Sequence, residues 1–302
     1  LKYKNLNIIT MGPPSSGGIV LGQILQMIEN YNLNELGHNS EQYIQLLVEA
    51  EKLSFSDRSK YLGDPDFNYI PTKELLNEDY LKSRFHSFSF DKAQPSENIN
   101  PGKLLINESN ETTHYSIVDK FGNAVSVTTT LNGNYGSKLI SPELGFFLNN
   151  EMDDFSIKPG SPNMYGLIGG KTNSIEPEKR MLSSMTPSIV ELNGNLSMVL
   201  GSPGGPTIIT SVLQTLINFY EFDFNMQQSV DALRFHHTWL PDKIFYEKNI
   251  FSEKVKDNLV KKGYILNSNH STIGRVDAIH IDENKIFYGG EDKRGDDKSI
   301  GY

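Results

Sequence analysis

The sequence predicts a layered α+β fold in which helices pack outside β-sheets. Apolar residues recur at helical spacing over residues 19–61, and the period changes to two over residues 115–130. Further strands, two helices and a last hairpin follow in separate blocks, instead of alternating one by one. Such blocks are typical of sheets that helices cover.

The first third of the chain is predicted to hold a strand and two helices. The strand spans residues 6–10, and a Gly- and Pro-rich turn leads into a helix at residues 19–31. The second helix runs from residue 40 or 41 to residue 61 and is followed by the turn Gly63-Asp64-Pro65-Asp66. The two aspartates lack the full ligand spacing of a calcium loop, so we interpret them as a solvated turn. Residues 75–109 are polar and predict a connection along the surface.

The remaining two thirds are predicted to be richer in strands. A hairpin with a first strand from Thr112 to residue 118 and a second strand at residues 124–130 turns at residues 119–123. The later elements, in chain order, are strands at 188–192 and 196–200, helices at 207–220 and 225–233, and a hairpin at 278–281 and 286–288.

Composition excludes several classes of function. The net charge of −9, the pI of about 5.3 and the lack of a basic stripe with aromatics argue against a nucleic-acid-binding protein. No apolar run approaches the ~18 residues of a membrane span, and the first ten residues lack the features of a signal peptide. The interpretation that a targeting signal has been removed from the N-terminus stays open. The absence of cysteine excludes disulfides and thiolate chemistry, and leaves the compartment undecided.

The first strand of the hairpin at residues 112–130 opens with two threonines, Thr112 and Thr113. Residues 107–110 before it are predicted to be an exposed loop. A threonine freed at a new N-terminus carries a nucleophilic hydroxyl and a base in one residue. Its α-amino group has a pKa of roughly 7.7–8.0, which suits a base near neutrality. An isolated Thr-Thr pair is ordinarily strand filler, so this interpretation depends on the residues downstream.

Four downstream clusters carry polar groups that could serve that chemistry. Residues 130–132 end the second hairpin strand, which returns toward Thr112. Residues 149–155 hold three carboxylates beside two amides, as a solvated loop or an ammonium site would. Ser183-Ser184 forms either a cap or a carboxylate site. Residues 201–206 are rich in glycine and directly precede a predicted helix. Their backbone N–H groups are therefore not covered by side chains and can donate hydrogen bonds to an oxyanion.

These residues together resemble the γ-glutamyltranspeptidase family of N-terminal-nucleophile hydrolases. The resemblance covers essentially the whole chain, because the family's motifs occur here in the same order. The matching segments are Pro13-Pro14-Ser15-Ser16-Gly17-Gly18, Asp57-Arg58-Ser59, Gly63-Asp64-Pro65, Thr112-Thr113-His114-Tyr115-Ser116, residues 148–156, Leu182-Ser183-Ser184-Met185, Gly201-Ser202-Pro203-Gly204-Gly205 and Arg234-Phe235-His236-His237.

The resemblance implies a four-layer αββα sandwich built from two subunits that self-cleavage at Glu111-Thr112 creates. Residues 1–111 look like the C-terminal part of the large subunit and residues 112–302 like the small, catalytic subunit, both within one structural domain. The implied site residues are, by role, the nucleophile Thr112 and its positioning partner Thr130, the oxyanion hole Gly204 and Gly205, the ammonium site Asn132, Glu151 and Asp154, the α-carboxylate site Ser183 and Ser184, and the lid residue Tyr165.

The implied activity is γ-glutamyl transfer and hydrolysis on glutathione and other γ-glutamyl amides, through a γ-glutamyl ester of Thr112. Its partners are amino-acid or peptide acceptors and water, and it needs neither metal nor organic cofactor. The family's large subunit also has an upstream region, and that region contains an arginine that binds the substrate carboxylate. This chain begins after that region, so it lacks the arginine. Bacterial relatives imply a periplasmic or secreted protein.

Two other interpretations remain open at this point. A related amidase such as a cephalosporin acylase would use Thr112 in the same way on another acyl group, although the ammonium site of Asn132, Glu151 and Asp154 argues against it. An inactive truncated remnant that binds amino acids would be consistent with the absent upstream region.

Overall fold

The computed structural model describes residues 1–102, 114–164, 166–268 and 272–301. The strands in this part of the chain are β1 (Lys2–Tyr3), β2 (Leu6–Thr10), β3 (His114–Val118), β4 (Ala124–Thr128), β5 (Ser188–Leu192), β6 (Asn195–Gly201), β7 (Phe235–His236), β8 (Ile244–Tyr246), β9 (Leu266–Asn267), β10 (Asp277–Ile281) and β11 (Phe287–Gly290). The α-helices are α1 (Gly17–Ile28), α2 (Leu33–Leu36), α3 (Glu41–Tyr61), α4 (Thr72–Leu75), α5 (Glu78–Phe85), α6 (Thr207–Glu221), α7 (Met226–Asp231) and α8 (Glu253–Lys261).

A six-stranded antiparallel sheet forms the centre of the molecule, in the order β1-β2-β5-β6-β10-β11. Strand β2 comes from the start of the chain and pairs with β5, almost two hundred residues later along it. Strands β3 and β4 form a separate hairpin, and β7, β8 and β9 form a small third sheet. The α+β class predicted from the sequence is confirmed.

Strand β6 shows how the layers stack, because both of its faces are buried. Met198 and Leu200 belong to the main hydrophobic core, which they share with helical side chains. Gly201 faces the opposite way, as strand alternation requires, and lies against the ring of His114 on β3. A Cβ at position 201 would come within 2.2 Å of the ring nitrogen Nδ1, so only glycine allows the hairpin to pack this closely.

Helices α1, α3 and α6 supply most of the helical side of this core. Helix α1 packs against both α3 and α6, and α3 is buried along nearly its whole length. Ser40 caps α3 by accepting a hydrogen bond from the backbone N–H of Tyr43 at 3.1 Å, which explains why the helix begins at Glu41.

Most elements predicted from periodicity are present with bounds that differ by a few residues. Helix α3 ends at residue 61 as predicted, whereas α1 begins two residues before the predicted start and ends at Ile28. The second hairpin strand, β4, ends at Thr128 instead of residue 130. The described part of the first strand begins at His114, and its predicted start at Thr112 lies outside the described residues.

The prediction of a plain surface connection is wrong for residues 75–102, and the rest of that predicted stretch, 103–109, lies outside the described residues. This stretch contains α5, whose N-cap Asn77 accepts a hydrogen bond from the N–H of Tyr80 at 2.9 Å. Leu81 and Phe85 are buried four residues apart, so one apolar stripe suffices to hold a short helix in a polar segment. Helix α8 and the short strands β7, β8 and β9 were not predicted either.

Among the residues that the structure describes, no helix combines the length and the apolar character that crossing a bilayer requires.

Candidate functional site

The predicted ammonium site is built where residues 130–133 meet residues 149–154. The backbone N–H of Asn150 donates to the carbonyl of Leu131 at 3.0 Å, and its side-chain oxygen accepts from the N–H of Gly133 at 2.8 Å. The Nδ2 of Asn132 donates back to the carbonyl of Asn150 at 3.2 Å. Asn132 has a φ of +70°, a conformation that asparagine tolerates better than most residues. The two segments therefore hold each other in place.

Glu151 and Asp154 lie at the two ends of a single 3₁₀ turn, Glu151–Asp154. Residues three apart on such a turn lie on the same side, and both side chains are buried at 6% exposure. Asp154 accepts a hydrogen bond from Nδ2 of Asn163 at 3.1 Å. Carboxylates buried this deeply favour a neighbouring positive charge, as an ammonium site requires.

Ser183 and Ser184 are also buried, and Arg58 at the end of α3 binds both of them. Its Nη2 donates to the hydroxyl of Ser184 at 3.3 Å and to the carbonyl of Ser183 at 3.5 Å. Its Nε donates to the hydroxyl of Ser16 at 2.9 Å, and that hydroxyl in turn donates to the carbonyl of Ser183. The planar guanidinium thus fixes the loop that presents the two serines.

The turn at residues 63–66 binds the chain just before the loop that presents Ser183 and Ser184. Asp64 is fully buried and accepts hydrogen bonds from both the backbone N–H and the Nε of Arg180, at 2.8 and 2.9 Å. Burial raises the pKa of Asp64, but the hydrogen bonds from Arg180 outweigh it and hold the pKa below its usual value. The prediction of a solvated turn is therefore wrong for Asp64, which anchors the chain just before Ser183.

Asn173 connects the ammonium cluster with the serine loop. Its Nδ2 donates to the backbone carbonyl of Asp154 at 2.6 Å, and its Oδ1 accepts from the N–H of Leu182 at 3.3 Å. A cavity of about 200 Å³ lies beside this connection, and Arg58, Asp154, Asn163 and Asn173 line it. The structure thus brings the two predicted clusters into one region.

Gly204 and Gly205 lie in a tight turn between β6 and α6. Both have positive φ, +129° and +57°, and their carbonyls accept the first N–H groups of α6, those of Thr207 and Ile208, at 3.2 Å each. Since the C=O and N–H of one trans peptide point in opposite directions, the N–H of Gly205 points away from the helix. This arrangement can present backbone donors to an anion.

Thr130 follows β4 and is half-buried, with its hydroxyl accepting a hydrogen bond from the N–H of Asn132 at 2.7 Å. Opposite β4, the buried His114 places its two ring nitrogens 2.9 Å from the hydroxyl of Thr128 and 2.8 Å from that of Ser116. Burial lowers the pKa of His114 to about 3, so the ring is neutral at physiological pH. The predicted nucleophile Thr112 and the predicted lid residue Tyr165 lie outside the described residues.

Arg58, Asn173 and His114 received no individual role from the sequence. Arg58 and His114 stand within segments that match the family's motifs, which was the signal that they matter. No pattern in the sequence around Asn173 indicates a role in the site, because its hydrogen-bond partners lie on two other loops.

The γ-glutamyltranspeptidase family model matches residues 1–302, which is the whole chain. The chain belongs to the γ-glutamyltranspeptidase family. Among its γ-glutamyltranspeptidase relatives, the glutathione hydrolase proenzyme of Escherichia coli K12 is 46% identical over 301 residues, which are 99% of this chain and 52% of the relative. The glutathione hydrolase proenzyme of Pseudomonas aeruginosa is also 46% identical, over 97% of this chain and 52% of that protein. The chain thus spans about half the length of the curated relatives it matches.

Solved structures agree with this placement. The crystal structure of an acivicin-inhibited γ-glutamyltranspeptidase is 51% identical, with a TM-score of 0.59, and covers 61% of this chain and 100% of that one. A cephalosporin acylase from Bacillus halodurans has a TM-score of 0.84 over 100% of this chain and 53% of its own, at 22% identity. At that identity the acylase supports the fold alone.

Proposed function

We propose that this chain belongs to an enzyme that transfers and hydrolyses γ-glutamyl groups, on glutathione and other γ-glutamyl amides, after self-cleavage between Glu111 and Thr112. The observation that carries the proposal is that Asn173 connects the turn of two buried carboxylates with the loop of two buried serines. The α-carbon of a γ-glutamyl group carries an ammonium and a carboxylate, so its recognition needs both kinds of partner.

The pairing of β3 with β4 supports Thr112 as the nucleophile. His114 stands opposite Thr128 at the end of the described pairing, and we expect the same antiparallel register, if it continues by two residues, to pair Thr112 with Thr130. The hydroxyl of Thr130 would then lie beside the nucleophile. The proposed boundary also agrees with the solved relative, whose full length corresponds to 61% of this chain, because residues 112–302 make up about 63% of it.

In the proposed head-group site, Asn132, Glu151 and Asp154 bind the α-ammonium group. Ser183 and Ser184 bind the α-carboxylate through their hydroxyl groups and the backbone N–H of Ser184, since the N–H of Ser183 donates to the carbonyl of Pro14 at 3.4 Å. Charge-assisted hydrogen bonds of this kind are about twice as strong as neutral ones, so the site selects for both charges.

The proposed reaction runs in two steps. The hydroxyl oxygen of Thr112 attacks the γ-carbonyl carbon while the free α-amino group accepts its proton, and the N–H groups of Gly204 and Gly205 stabilise the oxyanion. The amide C–N bond then breaks, the leaving amine takes up a proton, and a γ-glutamyl ester remains. Water attacks this ester to release glutamate, or an amino-acid or peptide amine attacks it to give a new γ-glutamyl amide.

An upstream large-subunit region is part of the proposal, since the curated relatives are about twice as long as this chain. That region would contribute further contacts to the substrate carboxylate. Export to the periplasm or the medium follows from the resemblance to bacterial relatives and is proposed on that ground.

A related acylase is the second candidate, because an acylase proenzyme from Pseudomonas strain V22 is 30% identical over 97% of this chain. The buried pair Glu151 and Asp154 favours a substrate with a free α-amino group over a glutaryl group, which has a carboxylate but no ammonium. Comparing γ-glutamyl with glutaryl amides as substrates separates the two candidates.

The change Asp154→Asn tests the head-group assignment. We expect kcat/KM for γ-glutamyl-p-nitroanilide to fall by a free energy of roughly 2–5 kcal/mol, because one member of a largely desolvated charge pair is lost. Glutaryl-p-nitroanilide, which lacks the amino group, should be affected far less, and maturation should continue.

The matched control is Asp153→Asn, which removes the same charge from the neighbouring residue of the same turn. Asp153 is more exposed and accepts the N–H of Met164 at 2.9 Å. Equal losses for the two substrates in Asp154→Asn would contradict the assignment and indicate misfolding.

Arg58→Lys tests whether the guanidinium holds the serine loop. Lysine keeps the charge but cannot donate in two directions, to Ser16 and to Ser184, from one planar group. We expect KM for γ-glutamyl substrates to rise roughly tenfold with a smaller change in kcat, as loss of about one buried hydrogen bond implies. The comparison is the steady-state kinetics of Arg84→Lys, which changes a partly buried arginine that binds Asp57 instead. Similar KM values in both variants would reject this role for Arg58.

A further inference from the structure

Asn173 makes hydrogen bonds to both halves of the proposed head-group site with one side chain. It is 4% exposed, and its amide makes hydrogen bonds to two backbone groups: the carbonyl of Asp154 at 2.6 Å and the N–H of Leu182 at 3.3 Å. Leu182 directly precedes the two serines. The side chain therefore spans the gap between the carboxylate turn and the serine loop.

Asn173 is itself held in place by the end of α3. The N–H of Gly170 donates to the carbonyl of Ser59 at 2.9 Å, and the hydroxyl of Thr172 donates to the carbonyl of Lys60 at 2.8 Å. The carbonyl of Asn173 also accepts the N–H of Ser156 at 2.7 Å. The same end of α3 carries Arg58, so one helix terminus supports both the serine loop and the residue that connects it to Asp154.

Only an amide suits this position. One side-chain atom must donate to a carbonyl and another must accept from an N–H, and asparagine is the shortest side chain that does this through two separate atoms. An aspartate of the same shape could still accept from Leu182, but it would place a negative oxygen against the carbonyl of Asp154.

We propose that Asn173 is a positioning residue that sets the distance between Asp154 and the Ser183-Ser184 pair, so that one α-amino acid head group is bound at both ends at the same time. This inference rests on the proposed function. An ammonium and a carboxylate attached to one carbon have a fixed separation, and a small displacement of one partner loses the benefit of binding both.

Three substrates for the complete gene product test the proposal. γ-Glutamyl-p-nitroanilide carries both charged groups, glutaryl-p-nitroanilide carries the carboxylate alone, and 4-aminobutyryl-p-nitroanilide carries the ammonium alone. For Asn173→Asp we expect kcat/KM on the γ-glutamyl substrate to fall roughly ten- to hundredfold, mainly through KM. The two single-charge substrates should change by less than about threefold, since neither depends on the spacing.

Asn218→Asp is the matched control. Asn218 is 2% exposed in α6, and its Nδ2 donates to the backbone carbonyl of Ser229 at 3.2 Å, away from the site. This variant loses a comparable buried donor and reports general destabilisation. It should leave the ratios among the three substrates unchanged.

Two results overturn the inference: an Asn173→Asp enzyme that keeps the wild-type preference for the γ-glutamyl substrate, or one that loses activity equally on all three. Failure of the proposed function looks different, because the wild-type protein would then show no preference for γ-glutamyl over glutaryl substrate.

Discussion

Replacement of Thr112 by alanine should leave the precursor as one chain and abolish γ-glutamyl turnover. The hydroxyl is the proposed nucleophile both for self-cleavage and for substrate attack, and its removal leaves neither reaction with an attacking atom. Loss of a nucleophile of this kind costs on the order of 10⁶-fold in kcat in a well-studied hydrolase. Intact mass under denaturing conditions reports the cleavage, and release of p-nitroaniline reports the turnover.

Thr112→Ser is the appropriate comparison, because serine keeps a hydroxyl and should still mature. If Thr112→Ala nevertheless produced a fragment that starts at residue 112, the nucleophile would have to be sought elsewhere.

Gly204→Ala should lower kcat by about 10²- to 10³-fold while KM changes little. This is the loss expected when one oxyanion donor is displaced. A Cβ at this position would lie 2.5 Å from the hydroxyl oxygen of Thr207 and 3.2 Å from the Cα of Gly274, and φ is +129°. The turn must therefore shift, and the N–H groups of Gly204 and Gly205 shift with it.

Gly194→Ala separates this effect from backbone strain alone. Gly194 also has a positive φ, +82°, but a Cβ there would meet nothing within 4 Å. We expect it to lower the melting temperature slightly and to leave kcat intact. Equal kcat losses in the two variants would show that the turn after β6 has no special part in catalysis.

The sequence predicted features that depend on neighbours along the chain. The bounds of α3 follow from the Ser40 cap and the apolar spacing, and Glu151 and Asp154 were assigned to one cluster because both fall within residues 149–155. The polar composition hid α5, because two buried side chains within a charged helix give a weak periodic signal.

The supporting residues of the site could not be predicted in this way. Arg58 reaches Ser184 across 126 positions of sequence, and no local pattern encodes that contact. Asn173 gains its partners only when three loops come together. Composition made Asp64 look like part of a solvated turn, and burial against Arg180 becomes visible only in three dimensions.

The pairing of β2 with β5 gives the proposed cleavage a particular physical character. Five successive residue pairs, from Leu6 with Leu192 to Thr10 with Ser188, join chain on either side of the Glu111-Thr112 bond. Once that bond is cut, the two pieces remain strands of one sheet and share one core, so separating them would require unfolding both. The cut nevertheless changes the unfolding equilibrium. An uncut chain unfolds to one molecule, whereas the cut protein unfolds to two separate molecules. Its stability then depends on protein concentration, as that of an obligate dimer does.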